Sequence, residues 1–485
     1  MHGYYRKAPY RADKCRALAG YPKRMMTLRT KEIFEMRKPK LIIGVLLHDA
    51  GRQFGCYGAA DAVTPNIDAM AAEGVRFENH FSTGTVCIPS RASVLTGKYL
   101  HNAVICFYNH NVETLPRLIR TAGYETYRCG FAEEKEYRGI AGGAYPYGGH
   151  DCSGVRLLGY DHSETASAAA SDVADSVIRL LENRAADTPM YIAAAFSEAH
   201  SPYNLPVTDE DIAAAVLPPL LPQLPDVRPA REMLARFTKA VTAADTAVGR
   251  LTQRIRELGL YDNTLLYFSC DHGIDFPRAK QSCYDAGTGV PLVFWGGVLP
   301  ESGKVVSGLS SHVDILPTLC ELLGITPPEG CDGVSQLPQL LGTGEPRDFC
   351  ISEVSFDNTD APVRAIRTRR FKLILNLNPG FPVATGNSFT ELVGYDVLTP
   401  IYNAPRPFEE LYDLENDPCE RTNLAEDARY AEIKADLKAR LFARLAADGD
   451  EILCAGSPYA DPDTEHAIAM WQKTPDGGFV LRPRK

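Results

Sequence analysis

Cys87 is followed closely by Pro89, Ser90 and Arg91 in the stretch TVCIPSRASVLTG, residues 85–97. A thiol kept only for packing needs no such neighbours. Pro89 and Ser90 suit the start of a helix. Cys87 would then face the positive helix N-terminus, where negative charge is stabilised, with Arg91 in the first turn. Other reactive groups fall where apolar runs end. LIIGVLL (41–47) runs into His48 and Asp49, LLYFSC (265–270) into Asp271 and His272, and MYIAAAF (190–196) into SEAHSPY with His200. Carboxylates from two strand ends would suit a hard divalent cation. Each residue alone has a plainer explanation. An Asp after a strand often forms a turn or caps a helix, and a lone histidine is commonly a hydrogen-bonded structural group. Any one of thirteen cysteines is by default a small buried apolar residue. Two such strand-end clusters in one chain are harder to set aside.

The elements that must carry these residues alternate between strand and helix. KLIIGVLL (40–47) is a continuous apolar run and reads as a central parallel strand. TPNIDAMAAEG (64–74) reads as a helix with Thr64 as N-cap, Pro65 in the first turn and Gly74 closing it. Strands are expected at 75–81, 124–130, 190–196, 263–270 and 290–297, and helices at 113–123, about 163–184, about 230–258 and 312–324. This alternation predicts an α/β fold, a doubly wound, mostly parallel sheet flanked by helices. Such sheets gather their sites at the carboxyl ends of the strands. After about residue 345 the character changes. VRAIRTRRFKLILNL (363–377) alternates like an antiparallel strand, and Tyr430, Ile433, Leu437, Leu441 and Leu445 form one helical stripe. The expected organisation is an extension (1–38), a catalytic α/β domain (39–345) and a smaller C-terminal α+β subdomain with an antiparallel sheet (346–485).

The whole chain has 485 residues and a formal net charge of −10. That balance disfavours nonspecific nucleic-acid binding, so an anionic substrate would need a local positive site. No apolar run reaches the roughly 18–20 residues that span a bilayer. The basic, polar first 39 residues lack the apolar core of a secretory signal. The cysteines show no CxxC pair or repeating spacing, which points to a reducing compartment. A cytoplasmic location without nucleic-acid or membrane partners is expected.

Taken together, these residues resemble the sulfatase family of the alkaline phosphatase superfamily. Cys87-Ile88-Pro89-Ser90-Arg91 followed by ASVLTGK matches the signature C-x-P-S-R-A-S-x-L-T-G-[RK]. TPNIDAMAAEGVRFENHF, SCDHG, SHVDILPTLCELLGI and EELYDLENDPCERTNLAED extend the likeness over about residues 39–450. Within the family, HDAGR, DHGIDFPRAKQSCYDAGTGVPL and RAIRTRRFKLILNLN look most like the N-sulfoglucosamine sulfohydrolase (sulfamidase) branch. The resemblance implies an alkaline phosphatase-like fold and hydrolysis of sulfate esters or sulfamates of sugars or aminosugars, N-sulfoglucosamine among them. It implies that a formylglycine-generating or sulfatase-maturating enzyme oxidises Cys87 to formylglycine. One hydroxyl of the hydrated aldehyde attacks sulfur, and the other later loses its proton and expels sulfate. It further implies one Ca²⁺ per chain, held by Asp49, Asp271, His272 and the modified Cys87. His48 stands where most sulfatases carry a first Asp. Imidazole is a poorer Ca²⁺ ligand than carboxylate, so either His48 leaves the shell or the metal binds more weakly. Arg91 would hold the formylglycine hydroxyl, Lys280 the sulfate, and His200 would protonate the leaving group.

The likeness breaks at one place. Where sulfatases carry G-K-x-H, this chain reads GFAEE, with Phe131 at the lysine and Glu133 at the histidine. Glu133 or Glu134 could replace the histidine as base. The same change could instead mark a noncatalytic relative that binds sulfated glycans. A phosphate or phosphonate ester hydrolase of the same superfamily is the other alternative.

Overall fold

A computed structural model describes residues 37–103, 113–131, 158–164, 167–355, 362–377, 393–394 and 406–450, with two short strands at 471–473 and 479–481. Glu133, Glu134, the N-terminal extension to residue 36 and most of the loops 136–160 and 378–408 lie outside the described residues.

Eight strands form the main sheet: β1 (Leu41–Leu47), β2 (Val75–Phe81), β3 (Glu125–Gly130), β4 (His162–Glu164), β5 (Met190–Ala195), β6 (Thr264–Cys270), β7 (Leu292–Trp295) and β8 (Lys304–Ser311). Their order is β4-β3-β5-β1-β6-β7-β2-β8. β7 runs antiparallel to both β6 and β2, and every other neighbouring pair is parallel. β1 sits between β5 and β6, with Ile43 level with both Ile192 and Leu266. The expected helix at 163–184 is shorter, Ala170–Asn183, because residues 162–164 join the sheet edge as β4.

The all-apolar reading of β1 follows from helices covering the sheet. Leu41, Ile43, Val45 and Leu47 pack in one core with the helix Ala170–Asn183 and the long helix Arg228–Glu257. That long helix brings in Met233, Leu234, Phe237, Val241, Val248, Leu251 and Ile255. On β1, Gly44 leaves room for the Tyr267 ring: a Cβ there would lie 2.2 Å from the Tyr267 hydroxyl. That hydroxyl is 3.0 Å from the hydroxyl of Tyr191, so both buried phenols share a hydrogen bond over the strand.

A second sheet has four antiparallel strands in the order β12-β11-β10-β9. These are β9 (Cys350–Val354), β10 (Val363–Arg367), β11 (Phe371–Asn376) and β12 (Glu409–Asp413). The run read as one alternating strand, 363–377, is two strands of a hairpin. Leu437, Leu441 and Leu445 of the helix Ala431–Asp448 pack against Ile366, Leu373, Leu375 and Leu411 of this sheet.

Candidate active site

Because β1 and β6 are parallel neighbours in register, with Leu47 beside Cys270, the residues after them leave the sheet together. The Asp271 amide donates to Leu47 O at 3.0 Å. Asp271 Oδ1 accepts from the amides of Asp49 (2.9 Å) and His272 (2.8 Å). Asp49 bends sharply with φ +46°, a left-handed conformation in which Asp is better tolerated than most residues. Gly273 lets this corner close, since a Cβ there would lie 1.8 Å from Ala286 O. His200 follows β5, on the other flank of β1, at the exposed rim.

The helix begins at Cys87 itself and runs to Thr96, two residues earlier than a start at Pro89. Cys87 is therefore in its first turn, and Arg91 is one turn on. The Cys87 thiol lies 3.8 Å from Asp49 Oδ1 and 3.4 Å from His272 Nε2. Ser90, on the same helix face as Cys87, donates to Asp271 O at 2.5 Å and lies 3.1 Å from His312 Nδ1. Arg91 donates to Asp271 Oδ2 through Nε (3.2 Å) and Nη2 (3.1 Å). Lys280 Nζ is 2.7 Å from Asp49 Oδ2. Thus Asp49, Cys87, Arg91, Asp271, His272 and Lys280 meet around one point, although they span 232 positions of the chain, from 49 to 280.

His48 is fully buried and places Nδ1 2.9 Å from Asp271 Oδ2. It meets Phe131 edge to face, ring centroids 4.2 Å apart, and His200 at 5.1 Å. The Arg91 guanidinium lies over Phe131 at 5.4 Å. His200 Nδ1 is 2.5 Å from Ser201 O, and Ser201 Oγ donates to Asp275 Oδ2 at 2.5 Å.

The electrostatics keep both carboxylates charged. Burial works against ionisation of Asp49, but Lys280, then His272 and a His48 hydrogen bond, outweigh it and hold its pKa well below the usual range. At Asp271 burial is likewise overcome, by His272, His48 and Arg91. Burial opposes the Lys280 ammonium as well, and Asp49 more than offsets it, raising the pKa well above normal. Burial lowers His272, which favours a neutral imidazole with Nδ1 on Gly273 O at 2.9 Å and Nε2 facing Asp49 and Cys87. His48 is raised, because Asp271, with a contribution from Asp49, outweighs burial and Arg91.

These residues fit a divalent cation. Ligand atoms of Asp49, Cys87, Asp271 and His272 all lie within 4.8 Å of one another, and both carboxylates are buried and ionised. The sequence places Ser90 only at the helix start and gives no site role to His312 or Asp275. Ser90 had a local signal, its i+3 spacing from Cys87, whereas the others are placed by long-range packing.

The protein-family model described as Sulfatase matches residues 40–325. An ulvan-active sulfatase of Formosa agariphila is 28% identical over 90% of this chain and 86% of the relative. Human N-sulphoglucosamine sulphohydrolase is 26% identical over 86% of this chain and 92% of that protein. Among solved structures, one in complex with its substrate D-glucosamine-2-N,6-O-disulfate superposes with TM-score 0.64 at 20% identity, covering 88% of this chain and 99% of the other. A phosphonate monoester hydrolase of Agrobacterium radiobacter gives 0.62 at 22%, over 92% and 100%. Sulfatases generally use a formylglycine and a divalent metal. The family match takes in the strands β1 to β8 and every residue of the cluster around Cys87, and the chain belongs to the sulfatase family, hydrolases of sulfate esters within the alkaline phosphatase superfamily.

Proposed function

We infer that the chain hydrolyses sulfate esters or sulfamates of sugars and aminosugars, with N-sulfoglucosamine as a leading substrate, after Cys87 has been converted to formylglycine by a maturation enzyme. The observation that carries this reading is the position of Cys87. It stands in the first turn of its helix, 3.8 Å from Asp49 Oδ1 and beside the Lys280–Asp49 pair. The names of the sugar-sulfatase relatives support the substrate class, and the human sulphohydrolase supports the aminosugar.

Asp49, Asp271, His272 and residue 87 would hold Ca²⁺, which when bound neutralises sulfate oxygens and acidifies a nearby hydroxyl. Formylglycine at 87 would supply the attacking hydroxyl as a hydrated aldehyde. The remaining steps belong to ordinary side chains. Arg91, anchored on Asp271 Oδ2, fixes that carboxylate and the helix start. Lys280, paired with Asp49 at the edge of the cluster, would set an ammonium beside the sulfate. His200 keeps Nδ1 on Ser201 O, so Nε2 is the nitrogen left to carry a proton to a departing amine or alcohol. Glu133 is proposed as the base that takes the second proton from residue 87.

The test is a screen of the matured protein on sulfated mono- and disaccharides, beside aryl sulfate and aryl phosphate or phosphonate esters. Mass analysis of the peptide containing residue 87 accompanies it. Sulfate turnover by the modified chain, abolished in Cys87→Ala, is the expected result. Preference for phosphorus esters, full activity in Cys87→Ala, or an unmodified thiol from a host with maturation machinery would count against it.

A further inference from the structure

Around position 87 the donor atoms form two overlapping groups, each with its ligand atoms within 4.8 Å of one another. One is Asp49, Cys87, Asp271 and His272; the other is His48, Asp49, Cys87 and His200. The second group has different chemistry. It contains one carboxylate, two imidazoles and a thiol. Ca²⁺ takes about six to eight oxygen ligands, which this group cannot supply. Two nitrogens, one sulfur and one oxygen make a four-coordinate set for a borderline ion such as Zn²⁺.

More than proximity favours such an ion. Both imidazoles place Nδ1 beside an oxygen: His200 hydrogen-bonds Ser201 O at 2.5 Å, and His48 lies 2.9 Å from Asp271 Oδ2. Anchoring one ring nitrogen on a carbonyl or carboxylate is the usual setting of a metal-bound histidine. Phe131 stands edge-on against His48 at 4.2 Å and adds no charge that would repel a cation. A carboxylate at Asp49 and a thiolate at Cys87 supply two negative charges, the first shared with the Lys280 ammonium 2.7 Å from Asp49 Oδ2. The group is reached from solvent, since His200 is exposed and Cys87 half-buried while His48 and Asp49 are fully buried.

We propose that the chain carrying a thiol at position 87 binds one Zn²⁺-type transition ion through His48, Asp49, Cys87 and His200. Oxidation of Cys87 removes the sulfur ligand, so this site belongs to the chain before maturation. The proposal stands whether or not the matured chain cleaves sulfate.

The experiment uses the full chain made without maturation, its thiol verified by mass. Alkylation of Cys87 by iodoacetamide is followed at the peptide level with and without ZnCl₂. Zinc should slow the reaction about tenfold or more, because the free thiolate is the nucleophile. In His48→Asn and in His200→Ala the slowing should fall below about threefold. His200 is exposed, so that variant tests the site with little risk to folding, which circular dichroism checks. Protection that survives either variant overturns the assignment. So does protection lost only in His272→Ala, which would place the ion with Asp271, or no protection in the unaltered chain.

Discussion

Replacing Lys280 by methionine removes the ammonium 2.7 Å from Asp49 Oδ2 and keeps the apolar stem. At an effective dielectric of about 20, the gross attraction over that distance is about 6 kcal/mol. Taking both groups out of water gives back much of it, and leaving the buried Asp49 without this partner costs on the order of 3 kcal/mol of stability. In turnover the loss is of a different kind. A preorganised charge aimed at developing negative oxygen is worth about 3–4 kcal/mol, or roughly 10²–10³-fold in kcat. Lys280→Arg keeps the charge and should lose much less. The pH dependence follows from Asp49. Its folded pKa is depressed, so its contribution to stability is present above the ordinary carboxylate range and is lost as pH falls through the folded value. Without Lys280 that folded value rises, and acid unfolding begins at higher pH. Steady-state kinetics on an aryl sulfate, with thermal unfolding across the acid range, reads both effects. A Lys280→Met variant within about threefold of the parent kcat/KM would refute the role in turnover, and an unshifted acid limb would refute the electrostatic account of Asp49.

Three further outcomes are expected. His200→Ala should slow cleavage of sulfamates and alkyl sulfates by about 10²–10⁴-fold, while an aryl sulfate with an acidic phenol is nearly unaffected; equal losses on both would remove His200 as the acid. Glu133→Gln should lower kcat more than it raises KM, and a silent variant would show that the carboxylate is not the base. His101 places Nδ1 2.9 Å from Glu353 Oε1 and Nε2 3.3 Å from Asp448 Oδ2. Burial opposes its charge, but Glu353 and Asp448 raise its pKa to about 10. Its stabilisation is therefore complete below about pH 6.5 and lost as pH rises through about 10, at most about 5 kcal/mol. Urea midpoints at neutral and alkaline pH should show that loss, and His101→Gln should flatten it.

Much of the site was legible because its signals are local. Pro89 and Ser90 mark a helix start just behind Cys87, and the structure begins that helix at Cys87 itself. A seven-residue apolar run ending in His48-Asp49, and another ending before Asp271-His272, mark strand ends without reference to anything distant. The hairpin at 363–376 was read as one strand because both halves alternate alike, and only the cross-strand pairing of Val363 with Asn376 reveals the turn. The reversal of β7 was hidden for the same reason: a buried strand is apolar on both faces whichever way it runs.

The sequence by itself determined which side chains end the strands, which thiol opens a helix, and that alternating elements must bury a sheet on both faces. These follow from neighbours a few residues apart. Tertiary structure alone decided that Lys280 pairs with Asp49, that His48 turns to Asp271 and abuts Phe131, and that His200 joins them from the far side of β1. Those contacts depend on strand order and on the packing of segments up to 231 residues apart, for which local propensity carries no signal.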